Sequence, residues 1–93
     1  DVMKVEQRVL YANITADQLI KPTAGKFYGF FVNSHTSGTL KVWDSATAAN
    51  SVLLNTITFA AGPCFYPFPF GVQFSTALFA DIGGTVDITI FYK

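Results

Sequence analysis

The chain has 93 residues, of which 51% are hydrophobic, 16% aromatic and 13% charged. This length predicts one domain, spanning residues 1–93. It is near the lower size limit at which a hydrophobic core is stable without disulfides or metal ions. Six basic and six acidic side chains cancel, which argues against a nucleic-acid partner because such partners select a basic surface. No run of about 18 apolar residues occurs, so the sequence predicts no membrane span.

Most of the chain alternates between polar and apolar residues with the period of two that is typical of β-strands. In chain order the predicted strands cover residues 3–11, 18–21, 26–33, 39–43, 52–59, 64–70, 76–82 and 85–93. Turn chemistry predicts a five-residue turn at 34–38 and a two-residue turn at Gly83-Gly84. The pattern favours an all-β fold, a single eight-stranded antiparallel β-sandwich that is jelly-roll-like. Residues 1–15 are expected to form an N-terminal arm or an edge strand.

The third predicted strand is apolar on both of its faces. Because side chains alternate along a strand, one face carries Phe27, Gly29 and Phe31, and the other carries Tyr28, Phe30 and Val32. A small sandwich covers only one face of each sheet by itself. We therefore expect a second copy of the chain or a larger scaffold to cover the other face, so that the working form is a homo-oligomer or part of an assembly.

Two later segments have clear inward faces. Pro67 and Pro69 lack the N–H groups that a central strand needs, so residues 64–70 are predicted to form an edge strand or an extended arm. The side chains of this segment predicted to pack inward are Tyr66, Phe68 and Phe70. In the last strand the inward residues are Val86, Ile88, Ile90 and Tyr92, with Phe91 as an apolar residue on the outward face.

The residue types that carry catalysis are scarce. His35 is the only histidine, and its position in a predicted turn indicates an ordinary solvent-exposed residue. Cys64 is the only cysteine, so no internal disulfide can form. No Lys, Arg or His adjoins it in the sequence to activate the thiol, and a plain buried cysteine is expected. The aspartates fall on separate strands, so no metal site is predicted. The chain is therefore interpreted as not an enzyme, with no cofactor.

Ten Phe, four Tyr and one Trp allow two interpretations. Core and interface packing is favoured, because Phe dominates the set and large rings anchor assemblies. Sugar stacking on exposed rings is the alternative, with Tyr28, Trp43 and Phe65 as its candidates. A charged first strand, which includes Lys4 and Arg8, could reach a neighbouring subunit. The candidate interface residues are Tyr28, Phe30, Val32, Trp43, Phe65, Phe91, Lys4 and Arg8.

Four segments of the chain resemble a group of small β-rich proteins encoded by tailed bacteriophages. They are Gly25 to Ser34 with its Phe31-Val32-Asn33 triplet, Ser37 to Asp44, Gly71 to Leu78 and Gly83 to Tyr92. The third segment has Ala77 where glycine is commoner in that group. The likeness covers about three quarters of the chain from Asn13 onward, and its motifs are those of strands and turns rather than of active sites.

This resemblance implies a virion structural protein, with a capsid decoration (cement) protein as the leading hypothesis. Such a protein would bind the major capsid protein on the head surface, with a trimer as the first guess, after assembly in the bacterial host cytoplasm. One alternative is a tail, baseplate or head-fibre component that touches host-surface glycans. Another is a carbohydrate-binding module.

Overall fold

The computed structural model describes residues 9–93 and forms one antiparallel sheet of six strands, so the all-β prediction is confirmed. The strands are β1 (Leu10–Ile14), β2 (Gln18–Lys21), β3 (Gly25–Trp43), β4 (Val52–Thr58), β5 (Cys64–Phe74) and β6 (Leu78–Tyr92). The described residues contain no helix. The long strands β3 and β6 pair along most of their lengths and form the spine of the sheet.

Each half of this spine is flanked by two shorter strands. One half has the strand order β5-β3-β6-β1, and the other has the order β4-β3-β6-β2. Within the described residues β1, β2, β4 and β5 each pair with one neighbour only, so all four are edge strands. The sheet therefore has four edge strands and one hydrophobic core.

The strand count differs from the prediction because both expected turns lie inside strands. Ser34, His35 and Thr36 pair with Asp87, Val86 and Thr85, so residues 34–38 continue β3. Gly83 likewise pairs with Thr39 inside β6. The turns predicted at 34–38 and Gly83-Gly84 were wrong, and the eight-stranded jelly-roll-like sandwich is not confirmed. A turn sequence and a bulge sequence use the same small and polar residues, so composition does not separate them.

Three register shifts give β3 one extra residue each against β6, between Phe27 and Gly29, between Val32 and Ser34, and between Thr36 and Thr39. Bulges of this kind bend a strand and increase its twist. The first shift moves both Phe27 and Phe30 to the core, where each is fully buried. Strict alternation would have placed them on opposite faces.

The core lies on one face of the sheet, here called the core face. The predicted inward residues Val86, Ile88 and Ile90 are buried on this face, while Tyr92 is half-buried. Phe30 lies at the centre of the aromatic packing, with ring centroids 6.2 Å from Phe27 and 4.8 Å from Tyr66. The largest fully buried side chains are Phe27, Phe30, Phe74, Leu40, Leu78, Ile88, Ile90, Val32 and Val42.

The prediction of an edge strand at residues 64–70 is confirmed, with one correction. Phe68 packs edge-on against Phe27 with ring centroids 5.4 Å apart, as expected, but Phe70 is 91% exposed. The pairing jumps from Gly29 with Pro67 to Phe27 with Val72, so residues 68–71 form an arch that turns Phe70 outward. Gly71, with φ 75°, supplies the left-handed backbone that this arch requires.

His35 is a structural residue rather than the exposed turn residue that the sequence predicts. Its Nδ1 accepts the Gly38 N–H (3.1 Å), so its Nε2 carries the proton and donates to the Ala60 carbonyl oxygen (2.6 Å). The ring also packs against Phe59 with centroids 5.3 Å apart. His35 thereby ties the third bulge of β3 to the segment between β4 and β5.

Asp44 ties the end of β3 to the turn that precedes β6. Its carboxylate accepts the backbone N–H groups of Ser75 (3.0 Å), Thr76 (2.8 Å) and Ala77 (3.4 Å). Burial by itself would raise the pKa of Asp44, but these hydrogen bonds outweigh it and hold the pKa below the ordinary value of 3.8. The Asp44 and Ser75-Thr76-Ala77 motifs, far apart in sequence, therefore form one structural unit.

We expect Asp44→Ala to lower the free energy of unfolding by about 1.5–3 kcal/mol at neutral pH, because charged hydrogen bonds are lost. A depressed folded-state pKa stabilises the fold above the unfolded value of 3.8 and ceases to do so as the pH falls through the folded value. Urea unfolding at neutral pH and at about pH 2 should show the difference between variant and parent shrinking in acid. Asp44→Asn keeps a hydrogen-bond acceptor but removes the charge, so its free energy of unfolding should lie between those of Asp44→Ala and the parent. An equal difference at both pH values would contradict this role.

Candidate binding surface on the outer face of the sheet

The face of the sheet opposite the core, here called the outer face, is built from rows of paired residues. Residues opposite one another in neighbouring strands place their side chains on the same face. One row across the β5-β3-β6-β1 half consists of Tyr11, Phe91, Gly29 and Pro67. The next row consists of Asn13, Thr89, Phe31 and Phe65. Aromatic and polar side chains therefore lie side by side on this half of the outer face.

Three phenylalanines of these rows, in which Phe65 contacts both Phe31 and Phe91, are called the ring cluster. Phe65 lies 6.3 Å from Phe31 and 6.4 Å from Phe91, measured between ring centroids. Gly29 has no side chain, so the rings of Phe65 and Phe91 meet across β3. Phe65 is 59% exposed, and nearby in the same rows Tyr11 is 73% exposed. The cluster thus presents ring surface to solvent.

Four polar side chains from three strands adjoin the ring cluster and are called the amide cluster: Asn13, Asn33, Asp87 and Thr89. The Asn13 side-chain amide donates to Asp87 Oδ1 (2.8 Å) and to Thr89 Oγ1 (3.1 Å). The Asn33 amide donates to the same two atoms, at 3.3 and 3.2 Å. Asp87 and Thr89 on β6 thereby hold one asparagine on each side.

The other half of the outer face carries an apolar row. Its members are Leu19, Phe79, Trp43 and Val52, paired in that order across β2, β6, β3 and β4. Lys41 Nζ lies 4.3 Å from the Trp43 ring centroid, a cation–π geometry. Trp43 Nε1 also donates to Asp81 Oδ2 (3.3 Å). The indole is therefore fixed in place, while Leu19 and Val52 remain 37% and 42% exposed at the ends of the row.

The structure places the predicted interface residues in different environments. Phe65 is exposed, and Phe91 and Trp43 are half-buried on the outer face. Tyr28 is half-buried, with its ring next to Gly71. Phe30 and Val32 are fully buried inside the chain, so their assignment to an interface was wrong; the first bulge of β3 turns them to the core.

Two further predicted interface residues, Lys4 and Arg8, lie outside the described residues. The amide cluster was not predicted from the sequence. A signal for it was present, since Asn33 ends the Phe31-Val32-Asn33 triplet and Asp87 and Thr89 belong to the closing Gly83 to Tyr92 motif. The motifs that carry the phage resemblance therefore supply three of the four members of this cluster.

A cavity of about 380 Å³ lies where β3 begins and β6 ends. It is lined by Lys21, Ala24, Gly25, Lys26, Gln73 and Lys93. Three of its six lining residues are lysines. Among residues 9–93, no group of three or more His, Cys, Asp or Glu side chains is arranged to hold a metal ion. No helix in that range has the length and apolar character needed to cross a membrane.

Comparison with protein-family models, with curated proteins and with solved structures finds no match to this chain.

Proposed function

We propose that this chain is a non-enzymatic virion structural protein, a decoration (cement) protein that binds the outside of a tailed-phage head. The observation that carries the proposal is the uncovered apolar surface of a single chain. Within the described residues eight large hydrophobic side chains are more than a third exposed: Val9, Leu10, Tyr11, Leu19, Val52, Phe65, Phe70 and Val72. Soluble monomers rarely leave large contiguous apolar patches open. The resemblance of the sequence to small phage proteins supports the choice of the partner class.

Phe70 is the residue best placed to anchor the chain on its partner. It projects from the arch of residues 68–71 with 91% of its surface exposed. The arch is braced from behind, because the Tyr28 ring lies against Gly71. A projecting aromatic side chain on a fixed backbone fits a pocket with little loss of conformational entropy, as interface hot spots do. In this proposal the pocket belongs to the major capsid protein.

Attachment would stabilise the head by mass action, because the chain bridges neighbouring capsomers and so binds the assembled lattice rather than separate capsomers. Several copies of the chain, three as the first guess, would assemble around one symmetry axis. Contacts between these copies would be the remaining apolar contacts. The proposal includes a sandwich-like arrangement in which the two halves of the bent sheet close on their shared core. The contact between Phe30 of one half and Phe59 after β4 (centroids 6.0 Å apart) supports it.

Quantitative mass spectrometry of purified virions tests the location of the chain. Hundreds of copies per particle would support decoration, whereas a handful of copies would place the chain in the tail or baseplate and contradict it. Absence from the particle would contradict both roles.

Phe70→Ala tests the anchor. We expect it to reduce binding to heads that lack the protein by about tenfold or more, because the side chain that fills the partner's pocket is lost. The free energy of unfolding should change by less than about 0.5 kcal/mol, since Phe70 is outside the core. Phe65→Ala, at an exposed phenylalanine outside the arch, is the comparison and should weaken head binding less than Phe70→Ala does. Unchanged head binding by Phe70→Ala would overturn the anchor assignment.

A further inference from the structure

We propose that the ring cluster and the amide cluster together form a binding site for a neutral glycan, a short chain of pyranose sugars. This site is separate from the Phe70 anchor and does not depend on where in the particle the chain sits. A head protein and a tail protein could each present it to a cell surface.

The hydrogen bonds of the amide cluster leave acceptors facing outward. Both asparagine amide nitrogens are used on Asp87 Oδ1 and Thr89 Oγ1. This fixes the orientation of each amide, because a flipped amide would turn its oxygen toward the carboxylate. Within the described residues the side-chain oxygens of Asn13 and Asn33 and the second oxygen of Asp87 have no hydrogen-bond donor. Sugar hydroxyls are the donors that such a set of acceptors suits.

The ring cluster supplies the apolar part of the same site. Asn13, Thr89, Phe31 and Phe65 lie in one row across four strands, so polar and aromatic groups are side by side. With neighbouring strands about 4.8 Å apart, the row spans about 14 Å, which is enough for a short oligosaccharide. A pyranose has one face of C–H groups and a rim of hydroxyls. It can lie on the Phe65 ring while its rim reaches the amide cluster.

Charge favours a neutral sugar. The cluster contains one carboxylate, Asp87, and its hydrogen-bond donors among the described residues are amides rather than Lys or Arg side chains. An anionic sugar would place a second negative charge beside Asp87 without a compensating cation. A hydroxyl donated to Asp87 makes a charge-assisted hydrogen bond instead.

The same acceptors disfavour an apolar protein surface at this place. A protein that packed its hydrophobic side chains over the rings would also cover the oxygens of Asn13, Asn33 and Asp87. Each acceptor buried without a donor weakens such a complex. A ligand rich in hydroxyls covers the rings and pairs the oxygens together, which is why we assign the site to a glycan and not to a second copy of the chain.

A glycan array of neutral and anionic bacterial surface oligosaccharides, with chitohexaose and cellohexaose included, tests the site on the full chain. We expect at least one neutral oligosaccharide to bind and to shift the side-chain amide signals of Asn13 and Asn33 in NMR titration. No binding to any neutral oligosaccharide, or preferential binding of anionic ones, would overturn the proposal.

Variants then locate the site. Phe65→Ala and Asn33→Asp should each weaken the Kd for the selected oligosaccharide tenfold or more, while Phe70→Ala should leave it unchanged. Thermal unfolding of each variant shows that a loss of binding is not a loss of fold. Equal loss in all three variants, or a self-association in sedimentation that Phe65→Ala abolishes, would overturn the assignment. Phe65→Ala should weaken glycan binding more than head binding. Phe70→Ala should weaken head binding and leave glycan binding unchanged, so the two proposals fail separately.

Discussion

Replacing Phe30 by Ala should lower the free energy of unfolding by about 3–5 kcal/mol, the range for a large aromatic residue in a core. Phe30 is fully buried, and its ring lies 4.8 Å from Tyr66, 6.0 Å from Phe59 and 6.2 Å from Phe27. The cavity would therefore open between strands β3 and β5 and the segment after β4. A domain of this length has a total stability of about 5–14 kcal/mol, so the variant should lose a large share of the stability of the fold.

Chemical denaturation of the parent, Phe30→Ala and Phe65→Ala measures this effect. Phe65 is the matched control because it is the same residue type on a neighbouring strand, but 59% exposed. Its replacement should cost less than about 1 kcal/mol. Similar losses for the two variants would mean that the outer face is as well packed as the core, and would contradict the assignment of the two faces.

Gly29→Ala should cost about 3 kcal/mol or more, because two effects act at one position. Gly29 has φ 108°, a backbone angle that residues other than glycine rarely adopt. A methyl group there would also collide with the Tyr66 carbonyl oxygen and lie 2.9 Å from Pro67 Cα. Both are backbone atoms of β5, which could not move away without breaking the pairing with β3.

Gly62→Ala separates these two effects. Gly62 has a positive φ of 80° as well, but a methyl group at this position would meet nothing within 4 Å. It should therefore cost only the backbone strain, about 1–2 kcal/mol. Thermal or urea unfolding should rank Gly29→Ala well below Gly62→Ala in stability. Equal losses would show that the close approach of β5 to Gly29 contributes nothing.

The local sequence pattern was sufficient to predict the face that a side chain takes where a strand keeps its regular alternation of inward and outward residues. From Thr85 to Tyr92 the residues of β6 alternate without a bulge, and the sequence alone placed Val86, Ile88 and Ile90 inward and Phe91 outward. The prolines at 67 and 69 likewise identified β5 as an edge strand, because a missing N–H group is a property of the residue itself. These predictions needed no knowledge of the neighbouring strands.

The sequence pattern gave wrong predictions where pairing with the partner strand decides which face of the sheet a side chain takes. The extra residue opposite β6 at Tyr28 turned Phe30 and Val32 inward, and the arch after Pro67 turned Phe70 outward. Both outcomes depend on the register, that is, on how many residues of one strand pair with a given length of its partner. The sequence of either strand alone does not specify this number. The predicted turns became bulges for the same reason.

The amide cluster shows this division most directly. The sequence by itself determined that the chain is all-β and aromatic-rich, that it carries little charge, and that Asn33, Asp87 and Thr89 lie in strand motifs. Only the tertiary structure placed Asn13 and Asn33 on either side of Asp87. They lie 74 and 54 residues from it in the chain and meet it because β1 and β3 both pair with β6. Alternation fixes which face a side chain takes within a regular strand, whereas long-range register fixes its neighbours.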